Sequence, residues 1–298
     1  MFRHRLFFKS GALFLSAVLF LPAIATAAEG HEPPPLKPEA LFQLGKLGVT
    51  NSMLVSWIVA VAVIIFAQLA TRHIQTVPSG AQNFWEWLVE SLYKFLESII
   101  GNQLVRKTFW FFATLFIFIL FTNWAGLIPG VGTVGWGHHD AATGVFHVDR
   151  PLLRGGNADL NMTTAMAAIF FVLWFIWALQ ANGVGGFLKH LFAPKGETSG
   201  PLKLLLIIVF FLVGWLEIVS ILFRPVSLSF RLFGNEYAGE VMLGAMAKIV
   251  PALSWLLPIP FYFMELLVGL VQALVFMLLC AVFTLLIAQH EPGHERQH

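Results

Sequence analysis

Residues 225–240 read PVSLSFRLFGNEYAGE and place a guanidinium inside one of the longest apolar tracts of the chain. The run from Lys203 to Val250 contains no polar turn, yet it carries these groups: Glu217, Arg224, Arg231, Asn235, Glu236 and Glu240. Inside a bilayer a charge is costly unless it faces protein, water or a partner charge. Arg231 is the sharpest case because arginine cannot become neutral by losing its proton. The tract therefore predicts a membrane helix whose charges serve a function.

The composition indicates an integral membrane protein. Of the 298 residues, 58% are hydrophobic and 11% are charged, whereas soluble domains are about 25% charged. The net charge of +2, without a basic cluster interleaved with aromatics, gives no sign of nucleic-acid binding. The one cysteine, Cys280, lies in an apolar run, which excludes a disulfide framework and a cysteine-based metal site.

Four segments are expected along the chain. Residues 1–28 have the basic start, short apolar core and small residues of a cleaved signal peptide, and an uncleaved first membrane helix is the alternative. Residues 29–46 are rich in proline and charge and are expected to form an exposed, exported tail. Residues 47–290 form a single membrane domain, and residues 291–298 form a cytoplasmic tail.

Hydropathy predicts an all-α membrane domain with five membrane-crossing units and one surface helix. The crossing units are expected at 52–70, 109–128, 163–181, 204–250 and 261–289. Residues 82–100 carry apolar side chains on one face and Glu86, Glu90, Lys94 and Glu97 on another. That pattern is typical of a helix lying along the membrane surface, although packing against a soluble partner would produce it too.

Basic residues predict the orientation of the domain. Lysine and arginine concentrate at 72–107 and 189–203, while 131–160 carries acidic and basic residues in balance. The positive-inside rule therefore places the first two segments in the cytoplasm and the third outside. The N-terminus is then exported, as a signal peptide would require, and the C-terminus is cytoplasmic.

The fourth crossing unit is too long for an upright helix. A continuous helix over 204–250 would measure about 70 Å, against a hydrocarbon thickness of about 30 Å. It must tilt steeply, bend near Pro225, or both. A strongly tilted helix lying against another surface is the most economical arrangement.

The charges in the two last units have a helical spacing. Glu217, Arg224 and Arg231 are seven residues apart, so a helix stacks them on nearly one face, and Asn235 extends that row. Glu240 lies nine positions beyond Arg231, about half a turn round the helix. On the last unit Glu265 and Gln272 are again seven apart and share a face.

We interpret this pattern as a path for a charge. Glu240 and Glu265 could take up and release a proton in a wet crevice, whereas Arg231 stays positive. A fixed positive charge repels a travelling cation and attracts a carboxylate on a partner surface. Structural roles are the alternatives for Glu217 and Arg224, as an intrahelical pair or interfacial anchors, and for Ser227, as a hydroxyl bonded to the backbone.

Two other sequence patterns are weaker indicators of function. The loop residues His138, His139, Asp140 and His147 match no metal-site spacing, so no metal is expected. Residues 161–163 read NMT, which fits a glycosylation acceptor, but a cap for the following helix is the favoured interpretation.

Residues 225–240 closely resemble the signature of subunit a of the F-type ATP synthase membrane sector. The resemblance continues in LVQALVFM at 270–277, in ADLNMT at 158–163 and in Val77 and Pro78. It covers roughly residues 50–290 and is specific, because the RLFGN and YAGE runs are long and free of simple composition bias.

The resemblance implies two long tilted helices, at 204–250 and 257–289, that lie against a rotating ring of subunit c in the bacterial inner membrane. It also implies subunit b of the peripheral stalk and the rest of the complex as partners. Arg231 would face the ring carboxylate. The outer half-channel would be lined by Glu240, Glu265, Asn235, Gln272 and Asp159, and the cytoplasmic one by Glu217, Arg224 and Ser227.

Some members of this family have histidine at the position of Glu265, so the proton affinity there stays open, as does the choice between H⁺ and Na⁺. No cofactor is implied, and the chain lacks the GxxxxGK[ST] loop that ATP chemistry would need. A stand-alone secondary transporter is the alternative, but no repeated halves are visible. An intramembrane hydrolase would need a convergent triad, and none has suitable spacing.

Overall fold

The computed structural model describes residues 35–45, 47–139, 146–192, 201–250, 253 and 256–288. The predicted signal peptide, residues 29–34 and the predicted C-terminal tail lie outside these residues. The helices are α1 Asn51–Thr71, α2 Ala81–Ile100, α3 Asn102–Gly126, α4 Leu160–Phe192, α5 Pro201–Ile249 and α6 Pro258–Ala288. The strands are β1 Ala40–Leu44, β2 Leu47–Thr50, β3 Gly135–His139 and β4 Phe146–Pro151, and a 3₁₀ turn spans Gly156–Ala158.

Five of these helices, α1, α3, α4, α5 and α6, are long and apolar enough to cross a membrane. The prediction of an all-α integral membrane protein is thereby confirmed. Helix α3 begins at Asn102 instead of 109, because Arg106 and Lys107 belong to its first turns and do not interrupt it. Helix α4 extends to Phe192 instead of 181, across a break at Gly183, whose φ of 64° glycine adopts at little cost.

Helix α2 is the amphipathic surface helix that the sequence predicts. It buries Leu92 and Leu96 against the other helices and leaves the aromatic rings of Phe84 and Trp87 exposed. Its charged face carries a Lys94–Glu90 pair at 2.5 Å. Exposed aromatics beside a charged face suit the boundary between lipid and water, where amphipathic rings are enriched.

Helix α3 lies at the centre of the bundle. Phe112 on α3, Phe170 on α4 and Phe276 on α6 are fully buried in one apolar cluster. Side chains also donate hydrogen bonds to backbone carbonyls of α6, from Asn123 to Gly269 at 3.1 Å and from Trp124 to Leu266 at 3.1 Å. Lipid is as apolar as leucine, so such packing and hydrogen bonds hold membrane helices together.

Helix α5 is one continuous helix of 49 residues with Pro225 inside it. Its length is about 70 Å, which exceeds the roughly 30 Å of hydrocarbon by more than a factor of two. The helix therefore continues through Pro225. A strong tilt of this helix in a membrane remains a prediction.

Two hairpins depart from the sequence prediction. Strand β1 lies in the segment 29–46, expected to be an exposed tail, and pairs antiparallel with β2 at the start of the expected membrane domain. Strands β3 and β4 pair antiparallel between the second and third expected crossing units. Neither hairpin is among the elements predicted from the sequence. For the first hairpin a signal is present in the sequence: Gly45 follows the last residue of β1 and has a φ of 68°, a conformation that favours glycine.

Candidate functional site

A partly enclosed cavity of ≈ 410 Å³ lies where the ends of α3 and α5 meet the start of α6 and the loop before α4. Three carboxyl groups line it, those of Glu236 and Glu240 on α5 and Glu265 on α6. Arg154, from the loop after β4, and Tyr262 complete its polar lining. We call this space the outer cavity, because it lies at the end of the bundle where the hairpin β3–β4 and the predicted exported segment are found.

Arg154 holds Glu240 at the wall of the outer cavity. Its Nη2 and Nε donate to Oε2 of Glu240 at 2.9 Å and 3.1 Å. Its Nη1 donates to the backbone carbonyls of Pro35 at 2.7 Å and Lys37 at 3.4 Å. Arg154 is 4% exposed, while the Glu240 side chain keeps 34% of its exposure. The pair therefore links α5, the loop before α4 and the N-terminal segment, and leaves the carboxylate accessible from the cavity.

Glu265 lies against the backbone of α5. The residue is 8% exposed, and a Cβ added to Gly239 would lie 2.5 Å from its Oε2. Any side chain larger than hydrogen at 239 would displace the carboxyl group. Glycine at this position thus allows a carboxyl of α6 to reach the surface of α5.

Glu236 occupies a second space that glycines leave open. A Cβ on Gly126, at the end of α3, would lie 2.6 Å from Oε1 of Glu236, and a Cβ on Gly155 would lie 3.0 Å from the same oxygen. Glu236 and Glu240 are four residues apart, so they lie one turn from each other on the same side of α5. The outer cavity consequently holds two carboxyls from one helix face and a third from α6.

A narrow polar pocket lies deeper between α3, α5 and α6. Its polar lining consists of Asn123, Asn235, Glu236, Glu265 and Gln272, and it leaves no space for a water molecule. Asn235 donates its Nδ2 to Oε1 of Gln272 at 2.7 Å, so two predicted site residues are brought together. The Nε2 of Gln272 is buried and has no hydrogen-bond partner in the described structure. We call this space the inner pocket.

Asp159 lies apart from both spaces. Its carboxylate accepts hydrogen bonds from the Ser52 hydroxyl at 2.7 Å and from the Asn161 backbone at 2.9 Å. The second bond makes Asp159 the cap of α4. The prediction that residues 161–163 cap the helix is therefore wrong, since they lie in its first turn, one residue after the helix begins.

A buried polar cluster lies beside the Asp159–Ser52 contact. It contains Ser56 on α1, Asn157 in the 3₁₀ turn and two residues of α3, Thr122 and Asn123. Asn157 donates to Oδ1 of Asn123 at 2.5 Å. Since Asn123 also lines the inner pocket, the cluster extends polar surroundings from the pocket toward the cap of α4.

Arg231 lies on an exposed face of α5 and does not line the outer cavity or the inner pocket. Phe223 and Phe230 on the same helix are 62% and 56% exposed. In the most apolar part of α5 only 11% of the residues are buried, against 22–56% for the other four spans. Within the described residues no acidic group forms an ion pair with Arg231.

The residues predicted for the cytoplasmic side are not grouped in one cavity. Arg224 is half-buried, with its guanidinium 4.7 Å from the ring centre of Phe283 and 5.9 Å from that of Trp174. Glu217 is half-buried and Ser227 is exposed. None of the three lines the outer cavity or the inner pocket.

The polar residues of the site that the sequence prediction missed are Arg154, Glu236, Tyr262 and Asn123. The position of Glu236, four residues before Glu240, was a usable signal, because that spacing puts both on one helix side. For Arg154 no local signal exists, since 86 residues separate it from Glu240. Among the histidines and acids that the structure describes, no group of three could hold a metal ion, and Asp140 lies outside the described residues.

The fold and the site define a class: a multi-pass membrane protein of five spanning helices, with a carboxyl-lined cavity and an arginine on an uncovered helix face. The profile of the family described as ATP synthase A chain matches residues 53–284. This chain belongs to that family, which is the family of subunit a of F-type ATP synthases.

Relatives along nearly the whole chain carry the same description. ATP synthase subunit a of Gloeobacter violaceus is 31% identical over 258 residues, which cover 86% of this chain and 90% of that protein. The subunit of Moorella thermoacetica is 30% identical over 259 residues, 87% of this chain and 99% of its own length. That of Trichlorobacter lovleyi is 33% identical over 233 residues, 78% and 85% of the two chains.

Family membership gives the chain its general role. It is a membrane-sector subunit of an F-type ATP synthase, it works in a complex with other subunits of that enzyme, and it serves ion transport and ATP synthesis. The predicted resemblance is confirmed by these matches.

Proposed function

We propose that this chain is the stator subunit that conducts protons in a rotary F-type ATP synthase. It gives the carboxylates of a subunit c ring access to the two sides of the membrane through two offset half-channels, with Arg231 between them. The observation that carries the proposal is the position of Arg231 on the uncovered face of α5, outside the cavity that holds the glutamates.

A permanent charge on such a face requires a partner. In hydrocarbon an arginine is costly, and the neighbouring exposed side chains of Phe223 and Phe230 are apolar. A carboxylate on a second membrane protein would pair with the guanidinium in the favourable geometry that arginine offers. The ring of subunit c supplies such a carboxylate by family likeness, and α5 with α6 would form the surface that it passes.

The outer cavity supports the outer half-channel. A proton enters the cavity, passes Glu240 and Glu265, and neutralises a ring carboxylate, which as a neutral group can rotate into lipid. Asn235 and Gln272 would shape the deep end of this path, and Asp159 would act from its position at the cap of α4. The hydrogen bond between Asn235 and Gln272 supports their joint role.

The cytoplasmic half-channel completes the cycle. After a revolution the carboxylate releases its proton to the cytoplasm, near Glu217, Arg224 and Ser227 by family likeness, and the field of Arg231 favours the ionised form. The fixed charge also repels a proton that would pass directly between the half-channels. Each proton that crosses 100 mV supplies about 2.3 kcal/mol, so several are needed for one ATP.

The remaining parts of the proposal follow from this role. The chain conducts ions and is not itself a catalyst, because the phosphate chemistry belongs to other subunits. It lies in the bacterial inner membrane with its N-terminus outside and its C-terminus in the cytoplasm. Subunit b of the peripheral stalk is a further partner.

The test replaces Arg231 and measures ATP-driven proton pumping in inverted membrane vesicles. Arg231→Ala is expected to leave the complex assembled and to abolish coupled pumping, because no fixed charge then displaces the ring proton or blocks a leak. Val226→Ala, a change at another exposed residue of the same helix, is the matched control and should pump normally. Wild-type pumping by Arg231→Ala would refute the proposed function.

A further inference from the structure

The outer cavity and the inner pocket are joined by side chains. Of the described residues, only Glu236 and Glu265 line both spaces. The inner pocket leaves no room for a water molecule, so a proton that moves from the cavity into the pocket must be carried across by a side chain. Both residues that could carry it are carboxyls.

From this geometry we propose that Glu236 is a proton-carrying residue of the outer half-channel, which takes up the proton in the outer cavity and passes it to Glu265. The proposal rests on the proposed function and adds a third carboxyl to the path through Glu240 and Glu265.

The surroundings of Glu236 favour a carrier over a structural anchor. In contrast to Glu240, which Arg154 holds by two hydrogen bonds, the Glu236 carboxyl has neither a hydrogen bond nor an ion pair to any described residue. Its Oε1 lies in the space left by Gly126 and Gly155, where a Cβ on Gly126 would come within 2.6 Å. The Glu236 side chain thus fills a space that the two glycines leave open, and no described polar group holds it there.

A buried hydrogen-bond donor without a partner among the described residues lines the inner pocket. The Nε2 of Gln272 is buried in the inner pocket and has no hydrogen-bond partner in the described structure. Buried polar groups are nearly always paired, so this N–H is a donor for an oxygen that enters the pocket in some step. A carboxylate that has just released its proton is such an oxygen.

The step balances as a single proton transfer. The Glu236 carboxylate takes a proton from the outer cavity and becomes a carboxylic acid. It then donates that proton to the Glu265 carboxylate, and Glu236 returns to the ionised form. Glu265 can reach α5 because Gly239 has no side chain, a contact in which a Cβ would lie 2.5 Å from Oε2.

The experiment compares Glu236→Gln with Glu236→Asp in inverted vesicles that contain the complete ATP synthase. Glutamine has the size of glutamate but carries no proton, whereas aspartate carries a proton on a shorter side chain. We expect Glu236→Gln to lower ATP-driven pumping about tenfold or more, as loss of a positioned proton carrier does. Glu236→Asp should retain the larger part of the pumping rate.

A structural role would give the opposite order, because glutamine fills the space and aspartate leaves a gap. Pumping by Glu236→Gln that equals or exceeds that of Glu236→Asp would therefore overturn the proposal. If the glutamine variant does not assemble, Glu236→His and Glu236→Met decide, since only histidine carries a proton. Failure of every variant to assemble would mean a structural residue and would also overturn it.

Arg231→Ala in the same membranes separates the two proposals. If it abolishes pumping while Glu236→Gln pumps normally, only the role of Glu236 is refuted. If Arg231→Ala pumps normally, the proposed function fails, whatever the Glu236 variants do.

Discussion

At the scale of single residues, the pair of Arg154 and Glu240 shows how one carboxylate of the outer cavity is held in place. Charge-assisted bonds of 2.9 Å and 3.1 Å from one guanidinium to Oε2 of Glu240 are stronger than neutral hydrogen bonds. The remaining bonds of Arg154 go to carbonyls of the N-terminal segment. One arginine therefore connects the wall of the cavity with the chain that precedes the first membrane helix.

Removal of this arginine leaves a partly buried charge without its partner. We expect Arg154→Gln to destabilise the subunit by about 1–3 kcal/mol, below the cost of breaking a fully buried pair because Glu240 stays one-third exposed. The measurement is the temperature at which subunit a is lost from the solubilised complex.

A double-mutant cycle with Glu240→Gln identifies the source of that loss. The combined variant should be less destabilised than the sum of the two single changes, because the second change removes the unpaired charge. Strictly additive losses would show that Arg154 stabilises the subunit only through the carbonyls of Pro35 and Lys37.

At the scale of elements, α5 is held from one side by rings of two neighbouring helices. Arg224 lies 4.7 Å from the ring centre of Phe283 on α6 and 5.9 Å from that of Trp174 on α4. Trp174 in turn donates its indole N–H to the carbonyl of Phe283 at 3.0 Å. A cation over an aromatic face contributes about 0.5–2 kcal/mol, more where water is excluded. The geometry supports a positioning role for Arg224, beside its predicted place on the proton path.

Removal of the ring distinguishes these two roles. Phe283→Leu keeps the charge of Arg224 and removes its nearer ring, and Arg224→Gln removes the charge. If Arg224 positions α5, both variants should lower the stability of the subunit by about 0.5–2 kcal/mol and lower pumping to a similar extent.

The control is Phe263→Leu, a change of the same kind at a residue of α6 that is 70% exposed. It should affect neither stability nor pumping. Normal pumping by Phe283→Leu together with lost pumping by Arg224→Gln would mean that the charge itself acts on the path.

At the scale of the whole molecule, the orientation of the five spans decides which side of the membrane the outer cavity faces. The loop that contains β3 and β4 borders the outer cavity through Pro151 and Arg154. The connection between α1 and α2 follows the end of α1 that is farther from this loop. The distribution of lysine and arginine predicts that the first is outside and the second cytoplasmic.

Labelling of single cysteines checks this orientation. In a Cys280→Ser background, Val134→Cys should react with a membrane-impermeant maleimide added from outside, and Val77→Cys only from the cytoplasmic side. Both positions are accessible, with exposures of 55% and 79%, and native Cys280 is buried. The reverse pattern of labelling would place the outer cavity on the cytoplasmic side and contradict the proposed direction of the path.

Much of this protein could be read from its sequence, because hydrophobic periodicity and charge are local properties. The five spans, the surface helix and the shared side of Glu265 and Gln272 all follow from spacing along single helices. The signature around Arg231 led to the correct family, since a long run of unusual residues in an apolar tract is specific. In each of these cases neighbours in sequence are also neighbours in space.

Only the tertiary structure decided which distant residues meet. Arg154 binds Glu240 across 86 positions, and Asn235 binds Gln272 across 37. Glu236 joins the outer cavity to the inner pocket because Gly126 and Gly155, from other elements, leave space for its oxygen. Contacts of this kind depend on how helices pack, which no local pattern encodes. The sequence by itself therefore determined the helices and the family, whereas the connection between the two polar spaces was decided by packing between elements.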